Sequence, residues 1–429
     1  MSTDSRKVTP GALFVALAGE RFDGHDFVAA AIAAGAAGAM VSRLTPEMAA
    51  APCLLQVEDT LAGLGAMAAA HRRRFDLDVI GITGSTGKTT TKEMTANILE
   101  RERTVLKTPA SYNNEVGVPL TALELNRGHQ AAVFELAMRG RGQIRYLAEM
   151  IRPTVAIITN IGRSHLELLN TREAIAETKA ELLEALPAGG VAVLNADDPY
   201  CEFLRDRARG PVITFGLSAG AAVRAERVRT RDEPGVEFTL VGWDFRTPVR
   251  LRLPGRHNAL DAAAAAAAAR ALGVSPEAIR DGLMLLSAGA DRMQVLQAPG
   301  GFAVISDCYN AAPDSMRMAL EVLAEMPARR RMAVLGDMRE LGPMEVSWHR
   351  EVGELAAAMD LALLVTRGEL GSVVAEGAAS QLSGRVRPAK TNEEAAELIR
   401  EVARPGDVVL VKGSRAMHLE EVVRRLIDG

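Results

Sequence analysis

The chain of 429 residues is long enough for roughly two to four domains of ordinary size. Its 48% hydrophobic and 24% charged residues are typical of a globular protein, and its net charge of −4 gives no electrostatic reason to expect nucleic acid or an anionic membrane as a partner. No apolar run reaches the ~20 residues of a membrane-spanning helix, and the polar N-terminus lacks the apolar core of a signal peptide. The 3 cysteines are too far apart for a disulfide framework or a zinc site, so we expect a cytoplasmic protein.

The first predicted block covers residues 1–76 and is expected to form a small α/β unit. It holds strand-like pieces such as 12–17 and a helix of small residues at 27–35. The arginines at 72–74 are expected to end a helix that leads into the next block, with their charged groups in solvent.

The second block, residues 77–297, alternates strands with helices, which predicts parallel βαβ units on one sheet. Its apolar strands are expected at 78–83, 131–134, 154–159 and 191–194. Residues 223–253 alternate in polarity as antiparallel strands do. The alanine-rich stretch 258–272 predicts a closely packed core helix.

The third block, residues 298–429, repeats the α/β alternation. Its strands are expected at 302–306, 332–335, 361–365 and 408–411. Because ligands of open parallel sheets bind beyond the carboxyl ends of the strands, the residues that follow these strands are candidates for a site. They are Asp307, Gly336, Asp337, Thr366, Lys412, Gly413 and Ser414.

The strongest single signal is the glycine-rich turn between the strand 78–83 and a predicted helix at 89–101. It reads Gly81-Ile82-Thr83-Gly84-Ser85-Thr86-Gly87-Lys88-Thr89-Thr90. Glycines let backbone N–H groups approach phosphate oxygens, and the helix N-terminus adds positive potential. Lys88 can reach the β- and γ-phosphates, and the Thr89 hydroxyl can hold Mg²⁺. The strict phosphate-loop pattern has glycine in place of Ile82, so this loop is a variant; an accidental glycine-rich turn is the alternative.

Two side chains that follow strand ends in the second block are candidate metal ligands. Glu135 comes after the strand 131–134, and its carboxylate could coordinate Mg²⁺ beside the phosphate loop. His165 comes after the strand 154–159. An exposed loop carboxylate and a structural histidine are the respective alternatives.

Lys179 lies on a predicted helix at 172–186, on the same face as apolar side chains at 175, 182 and 186. A buried lysine has a lowered pKa, can act as a neutral amine and can take up CO₂ to form a carbamate, which resembles a carboxylate ligand. A lysine that extends its ammonium to solvent is the alternative. The opposite face of the helix is expected to carry Glu177, Glu181 and Glu184.

Together these motifs resemble the Mur ligase superfamily, over essentially the whole chain. The resemblance implies three α/β domains: a uridine-nucleotide domain at 1–76, a central P-loop ATPase domain on a mainly parallel sheet at 77–297, and a Rossmann-like domain at 298–429. The implied contacts to ATP include Asn258 at the adenine and Arg292 at the phosphates. The remaining nucleotide-binding residues implied are Gly84, Ser85, Thr86, Gly87, Lys88, Thr89, Thr90, Asp307, Tyr309 and Asn310.

Three C-terminal segments, at 307–316, 335–342 and 411–415, resemble the branch of the family that adds D-alanyl-D-alanine. The Asp-Asn-Pro-Arg motif of the diamino-acid-adding branch is absent, and Ala312 departs from the family, which more often has Asn there. The resemblance implies substrate contacts from Ser5, Arg6, Gly24, His25, Asn113, Asn114, Lys412, Ser414 and Arg415.

The chemistry implied is phosphoryl transfer from ATP to the terminal carboxylate of UDP-N-acetylmuramoyl-tripeptide, followed by attack of the D-alanyl-D-alanine amine on the acyl phosphate. One Mg²⁺ would be held by Thr89 and Glu135, and a second by His165 and carbamylated Lys179. The residues implied to carry catalysis are Lys88, His165, Lys179 and Arg292. We expect a monomer without nucleic-acid or membrane partners.

Three other functions stay open on the sequence. A diamino-acid-adding ligase would use the same chemistry with another acceptor. A P-loop switch or motor protein would need no uridine-nucleotide block, and its turnover would depend on a protein partner. A nucleotide-sensing regulator would have lost part of the catalytic set.

Overall fold

Three sheets organise the chain, and each lies mainly in one of the predicted blocks. The computed structural model describes residues 1–19, 22–49, 51–163, 166–231, 234–286, 289 and 291–428. Over this described part of the chain, every helix is too short or too polar to cross a lipid bilayer. The three-domain α/β class predicted from the sequence is confirmed.

The N-terminal sheet has three parallel strands in the order β1-β2-β3. Its elements are β1 (Leu13–Val15), α1 (Val28–Ala33), β2 (Gly38–Val41), β3 (Leu54–Gln56) and α2 (Thr60–Arg72), with 3₁₀ turns at Ser5–Lys7, Gly24–Phe27 and Pro46–Met48. A small apolar core around Phe14, Val28 and Met48 lies between the sheet and α1. The strand predicted at 12–17 and the helix predicted at 27–35 both form, as β1 and α1, and each is shorter than predicted.

Arg72, at the end of α2, is buried, although its charge was expected to lie in solvent. Its guanidinium donates to the carbonyl oxygens of Ile151 at 2.8 Å and Phe75 at 2.6 Å. A buried guanidinium is stable only where acceptors meet its donors, and these carbonyls supply them. Arg72 therefore fixes α2 to the central unit.

The central sheet has nine strands in the order β12-β11-β10-β9-β8-β7-β4-β6-β5. They are β4 (Asp78–Thr83), β5 (Val105–Lys107), β6 (Ala131–Glu135), β7 (Val155–Ile158), β8 (Val191–Asn195), β9 (Val212–Gly216), β10 (Val223–Thr230), β11 (Val236–Val241) and β12 (Arg246–Leu251). The strands from β4 to β10 pair in parallel, while β11 pairs antiparallel with β10 and β12, as predicted.

Helices cover both faces of the central sheet. They are α3 (Lys88–Leu99), α4 (Gly117–Ala122), α5 (Gln143–Ile151), α6 (Leu166–Leu169), α7 (Arg172–Glu184), α8 (Cys201–Arg205), α9 (Arg256–Ala271) and α10 (Pro276–Met284). Along β4 the side chains alternate between two cores: Ile80 and Ile82 pack with α3 and α9, and Val79 packs with α5 and α7. Because both faces are buried, the strand reads as a continuous apolar run.

Helix α9 is the predicted alanine-rich core helix. Its residues 262–269 are all alanine and all buried, and α9 packs against α3 as well as strands of the sheet. The short methyl side chains allow this close approach. Helix α9 therefore supports the helix that follows the phosphate loop.

The C-terminal sheet has six strands in the order β13-β14-β18-β15-β16-β17, all parallel except β13. Its strands are β13 (Gln294–Gln297), β14 (Ala303–Asp307), β15 (Arg331–Gly336), β16 (Leu363–Arg367), β17 (Val386–Ala389) and β18 (Val408–Lys412). Its helices are α11 (Pro313–Glu325), α12 (Glu345–Ala357), α13 (Gly371–Ala378), α14 (Asn392–Val402) and α15 (Glu420–Asp428). The predicted block boundary at 297/298 falls at the end of β13, which pairs with β14 in this sheet.

Candidate active site between the central and C-terminal sheets

A cavity of about 340 Å³ lies where strand ends of the central and C-terminal sheets face each other. Three of the side chains that line it are the last residues of their strands: Glu135 of β6, Asp307 of β14 and Lys412 of β18. The parallel strands bring these ends to one edge of each sheet, as expected for a ligand site. Further predicted residues in the lining are Ser85, Thr86, Gly87, Lys88, Thr89, Thr90, Asn113, Asn258, Arg292, Tyr309 and Asn310.

The phosphate loop needs its glycines. Gly84 and Gly87 have φ angles of +154° and +78°, which side-chain-bearing residues rarely adopt. A Cβ at position 84 would collide with the Thr159 hydroxyl, and one at position 87 would lie 2.5 Å from Asp261 Oδ1. The loop is therefore wedged between the end of β7 and helix α9, and only glycine fits at both points.

Asn160, which follows β7, clamps the loop. The N–H of Thr86 donates to Asn160 Oδ1 at 3.0 Å, the N–H of Ser85 donates to the Asn160 carbonyl at 3.1 Å, and Asn160 Nδ2 donates to Thr86 Oγ1 at 2.7 Å. The N–H groups of Lys88 and Thr89 belong to the first turn of α3, where no intrahelical acceptor exists. This helix start is the part of the loop suited to a phosphate oxygen.

The Lys88 ammonium lies over the loop and donates to the Gly84 carbonyl at 2.7 Å. Burial lowers its pKa; the carboxylate of Glu135 opposes this shift, and the positive charge of Arg292 adds to it. Lys88, Arg292 and Glu135 thus lie in the same part of the cavity wall, and an incoming polyphosphate would offset the repulsion between Lys88 and Arg292.

Thr89 and Glu135 form an oxygen-rich pair at the start of α3. Thr89 Oγ1 donates to Glu135 Oε2 at 2.9 Å, and Asn113 Nδ2 donates to Glu135 Oε1 at 2.6 Å. Glu135 is buried at the end of β6, so it is not the exposed loop carboxylate considered as the alternative. A carboxylate beside a hydroxyl provides the hard oxygen ligands that Mg²⁺ prefers.

The C-terminal unit contributes a stacked pair and an ion pair. The Arg292 guanidinium lies 3.8 Å from the centroid of the Tyr309 ring, and the Tyr309 hydroxyl is hydrogen-bonded to Ser111 of the central unit. Lys412 Nζ donates to Asp307 Oδ2 at 2.5 Å and to the Asn310 carbonyl at 2.9 Å. Lys412 lines the cavity, and its ammonium already has acidic and carbonyl partners.

Three family models match consecutive parts of the chain. The Mur ligase family catalytic domain matches residues 1–72, the Mur ligase middle domain matches 82–269, and the Mur ligase glutamate ligase domain matches 291–415. The chain belongs to the Mur ligase family.

Curated relatives that match over nearly their whole length support this assignment. UDP-N-acetylmuramoyl-tripeptide–D-alanyl-D-alanine ligase of Bacillus subtilis is 36% identical over 432 residues, covering 100% of this chain and 93% of the relative. The enzyme of that name from Escherichia coli is 37% identical over 433 residues, covering 99% and 93%.

Solved structures of Mur ligases have the same fold. MurF from Acinetobacter baumannii superposes with a TM-score of 0.92 at 36% identity, covering 100% of this chain and 93% of that one. MurF from Thermotoga maritima in complex with ADP superposes with a TM-score of 0.88 at 30% identity, covering 99% and 96%.

Lys179, the residue expected to carry a carbamate, is buried on α7 with its pKa well below the usual range, because burial and the charge of Lys88 both disfavour the ammonium. The alternative of an ammonium extended to solvent is therefore excluded. Lys179 lies near Lys88 but not in the described lining of the cavity. The second predicted metal ligand, His165, lies outside the described residues.

Glu181 on the same helix is buried, although it was expected on the solvent face. Its carboxylate accepts from the N–H groups of Gly142 at 2.7 Å and Arg145 at 3.0 Å, at the start of α5. A carboxylate is favourable there because the helix N-terminus carries partial positive charge. The sequence predicted one buried face for this helix, from its apolar residues, and so the contact between α7 and α5 was not predicted.

The four N-terminal candidates lie in the unit built on the N-terminal sheet. His25 is buried, with Nδ1 2.6 Å from Asp23 Oδ1 and Nε2 accepting from the Ser42 N–H at 2.9 Å. Gly24 lies so close to Leu17 that a Cβ would meet its backbone at 2.7 Å. Ser5 begins a 3₁₀ turn capped by Asp4, and Arg6 is exposed. The cavity lining, as far as the structure describes it, includes none of these four candidates.

Three further candidates have structural partners and lie outside the described lining of the cavity. Asn114 Oδ1 accepts from the N–H of Gly117, the first residue of α4, at 2.9 Å. Ser414 Oγ accepts from the Arg339 N–H at 2.9 Å. Arg415 is exposed, 3.8 Å from Asp291 Oδ2.

Sequence reasoning gave no role to two titratable residues that line the cavity. Burial lowers the pKa of His257 to about 4 and raises that of Asp261 to about 8. Asp261 is the one charged residue in the buried stretch of α9, next to its alanine run, and that isolation is the signal that could have found it.

Proposed function

We propose that the chain is an ATP-dependent ligase that joins D-alanyl-D-alanine to UDP-N-acetylmuramoyl-tripeptide in peptidoglycan precursor synthesis, with release of ADP and phosphate. The observation that carries this proposal is the match along the whole chain to ligases of that name, at 36–38% identity in the first six relatives. The diamino-acid-adding ligase is less similar, at 22% identity and a TM-score of 0.60.

ATP would occupy the cavity with its phosphates at the start of α3. The phosphate loop, Lys88 and Arg292 would meet the polyphosphate, and Asn258 would approach the adenine. Asn258 is buried, with Nδ2 held by the Pro254 carbonyl at 2.6 Å, so its position is fixed before any ligand arrives. Asp307, Tyr309 and Asn310 would close the site from the C-terminal unit.

Two Mg²⁺ ions would supply positive charge to the transferring phosphoryl group. Thr89 and Glu135 fit the first, since their oxygens already lie 2.9 Å apart. His165 and Lys179 would hold the second. For Lys179 the fit rests on its lowered pKa: the neutral Nζ attacks the carbon of CO₂, forms a carbamate and releases a proton.

The reaction would proceed in two steps. An oxygen of the tripeptide's terminal carboxylate attacks the γ-phosphorus, and the bond to the β-γ bridging oxygen breaks. The amine of D-alanyl-D-alanine then attacks the acyl carbon, phosphate leaves, and the amine loses a proton. Because the acyl phosphate is prone to hydrolysis, a cavity closed by both sheets protects it from water.

The UDP-linked substrate would reach from the N-terminal unit to the cavity, with contacts from Ser5, Arg6, Gly24 and His25 at one end and Asn113 at the other. Asn114, Lys412, Ser414 and Arg415 complete the proposed substrate set. Domain limits at 1–76, 77–297 and 298–429, a cytoplasmic location and a monomeric state belong to the same proposal.

Phosphate release from ATP tests the assignment. The purified protein is assayed with Mg²⁺ and UDP-N-acetylmuramoyl-tripeptide, with and without D-alanyl-D-alanine, and in parallel with the UDP-dipeptide and diaminopimelate. Release that requires the tripeptide together with D-alanyl-D-alanine is expected. If phosphate is released only with the UDP-dipeptide and diaminopimelate, the acceptor assignment is wrong and the ligase chemistry is right. If no phosphate is released with either pair of substrates, the proposal is overturned.

A further inference from the structure

A fully buried lysine that the reaction scheme does not use lies behind Glu135. Lys92 is on the second turn of α3, with no exposed side-chain surface. Its Nζ donates to the carbonyls of Thr108 at 2.8 Å and Ala110 at 2.5 Å, and it lies 3.0 Å from Glu93 Oε1. A buried ammonium persists only where all its donors have partners, and these three acceptors meet that need.

The carbonyls held by Lys92 belong to the segment 108–113, which follows β5. Ala110 in this segment has a φ angle of +46°, a left-handed conformation that costs a residue with a side chain some free energy. The short hydrogen bond from Lys92 acts directly on the carbonyl of this strained residue. The ammonium therefore holds the turn that Ala110 makes.

The same segment touches both halves of the cavity. On the central side, Asn113 Nδ2 donates to Glu135 Oε1 at 2.6 Å, and the Glu135 N–H donates to Thr108 Oγ1 at 3.2 Å. On the C-terminal side, the Ser111 hydroxyl is hydrogen-bonded to that of Tyr309, the ring on which Arg292 stacks. The segment thus joins Glu135 to the C-terminal unit.

We propose that Lys92 is a positioning residue, which holds the segment 108–113 so that the docking of Tyr309 against Ser111 and the orientation of the Glu135 carboxylate are coupled. This inference rests on the proposed ligase function only for its consequence in turnover. The structural coupling itself is a property of the free chain.

The distances favour positioning over charge neutralisation as the role of Lys92. Its Nζ lies 3.9 Å from Glu135 Oε2, beyond hydrogen-bonding range, whereas both carbonyls of the segment are within 2.8 Å. Glu93 is shared with a second cation, since Lys107 Nζ lies 2.9 Å from Glu93 Oε2. Within the described part of the chain, the Lys107 ammonium pairs with Glu93 and Glu100 and not with the carbonyls of the segment, so Lys107 provides a matched control.

The test compares Lys92→Met with Lys107→Met in the full chain. Both remove one ammonium beside Glu93, but only the first releases the segment. Hydrogen–deuterium exchange in the absence of ligands is expected to rise at least about tenfold in the peptide spanning 108–113 of Lys92→Met and to stay unchanged in Lys107→Met. Equal protection of this peptide in the two variants would overturn the proposal.

Turnover provides the second readout. Lys92→Met is expected to lower kcat by at least about tenfold while the affinity for ADP without Mg²⁺ changes little, because the loop and α3 stay in place. Ser111→Ala should lower kcat in the wild-type background and have almost no further effect with Lys92→Met, since both act through one segment. Multiplicative effects of the two substitutions would contradict the coupling.

If Lys92→Met does not fold, Lys92→Gln, which keeps a donor in nearly the same space, replaces it in both measurements. If the wild-type protein is inactive, the proposed function is wrong, but the exchange test remains valid. If the wild-type protein is active and the Lys92 variants show unchanged exchange and turnover, the proposed function stands and only the positioning role of Lys92 is wrong.

Discussion

Thr89 and Glu135 are 46 positions apart in the chain, yet the Thr89 hydroxyl donates to Glu135 Oε2 at 2.9 Å across the start of α3. The parallel pairing of β4 with β6 brings them together, because both strands end at the same edge. The pair lies where the phosphate loop begins its helix, beside Lys88.

We therefore predict that Glu135→Gln lowers kcat by about 10²-fold or more, since the substitution removes the charge that Mg²⁺ needs while keeping the shape and the bond from Thr89. Steady-state phosphate release over a range of Mg²⁺ concentrations measures it. Glu149→Gln, an exposed acid on α5, serves as the control and should behave as wild type. Wild-type turnover in Glu135→Gln would exclude the ligand role.

Lys179→Ala is expected to abolish turnover, and added bicarbonate should not restore it, because the variant has no amine to carry a carbamate. In the wild type, turnover in CO₂-depleted buffer should fall and recover with bicarbonate. A carbon-13 NMR signal of a carbamate from labelled bicarbonate, absent in the variant, provides a readout independent of turnover. Full activity of Lys179→Ala would end the carbamate hypothesis.

Asp261 gives the nucleotide-free protein a defined pH dependence. Its pKa is raised to about 8 by burial, so the folded chain keeps a proton that the unfolded chain releases at about pH 4. The folded state is therefore favoured at low pH and loses this advantage as the pH rises through about 8.

We predict that Asp261→Asn flattens the fall in unfolding midpoint between about pH 6.5 and pH 8, because the amide cannot ionise. This window lies above the pH range in which His257 affects stability, because the pKa of His257 is lowered to about 4. The effect of His257 has the opposite sign, since it destabilises the fold as the pH falls below about 6.5. Thermal unfolding followed by circular dichroism measures the midpoint. Parallel curves for wild type and variant would show that Asp261 is ionised in the fold.

Arg163 links the central unit to the C-terminal unit. Its N–H donates to Asp314 Oδ2 at 2.8 Å, its guanidinium lies 3.3 Å from Glu351 Oε2, and it stacks 4.5 Å from the centroid of the Trp348 ring. These contacts hold α11 and α12 against the loop that follows β7. Arg163→Ala keeps the backbone bond and removes the others.

The variant should have a larger radius of gyration by small-angle X-ray scattering and a kcat lowered several-fold, because the closed arrangement becomes less populated. Arg209→Ala, an exposed arginine after α8, is the control. Unchanged scattering in Arg163→Ala would mean that other contacts suffice to hold the two units together.

Much of the fold followed from local patterns. The strand 78–83 was predicted residue for residue, and the glycine-rich turn lies between this strand and helix α3 as expected, because an apolar run and a glycine-rich turn are strong local signals. The strands β2, β3, β5, β9, β13 and β17 had no predicted range. Two of them, β5 and β13, are short and carry polar ends. Strand β5 pairs with β6, whose first residue is Ala131, whereas β13 pairs with β14, the next strand in the chain.

The site was predictable where the chemistry is carried by unusual residues in short motifs, as with Lys88 and Thr89. Lys92 and Glu181 were missed for a different reason. Both are charged residues on helices that present a second face to a neighbour, and a single periodicity argument assigns that face to solvent. Only the packing of α3 against the segment 108–113, and of α7 against α5, shows that they are buried.

The alanine run of α9 sets an unusual pattern of mutational tolerance. A residue as small and chemically inert as alanine is ordinarily the easiest to replace, but positions 262–269 have no space around them. A larger side chain at one of these positions would cost about 1–3 kcal/mol in strain, because it would push the sheet and α3 apart. In a saturation-mutagenesis map, these eight alanines should form one of the most intolerant bands of the chain, comparable with the phosphate loop itself.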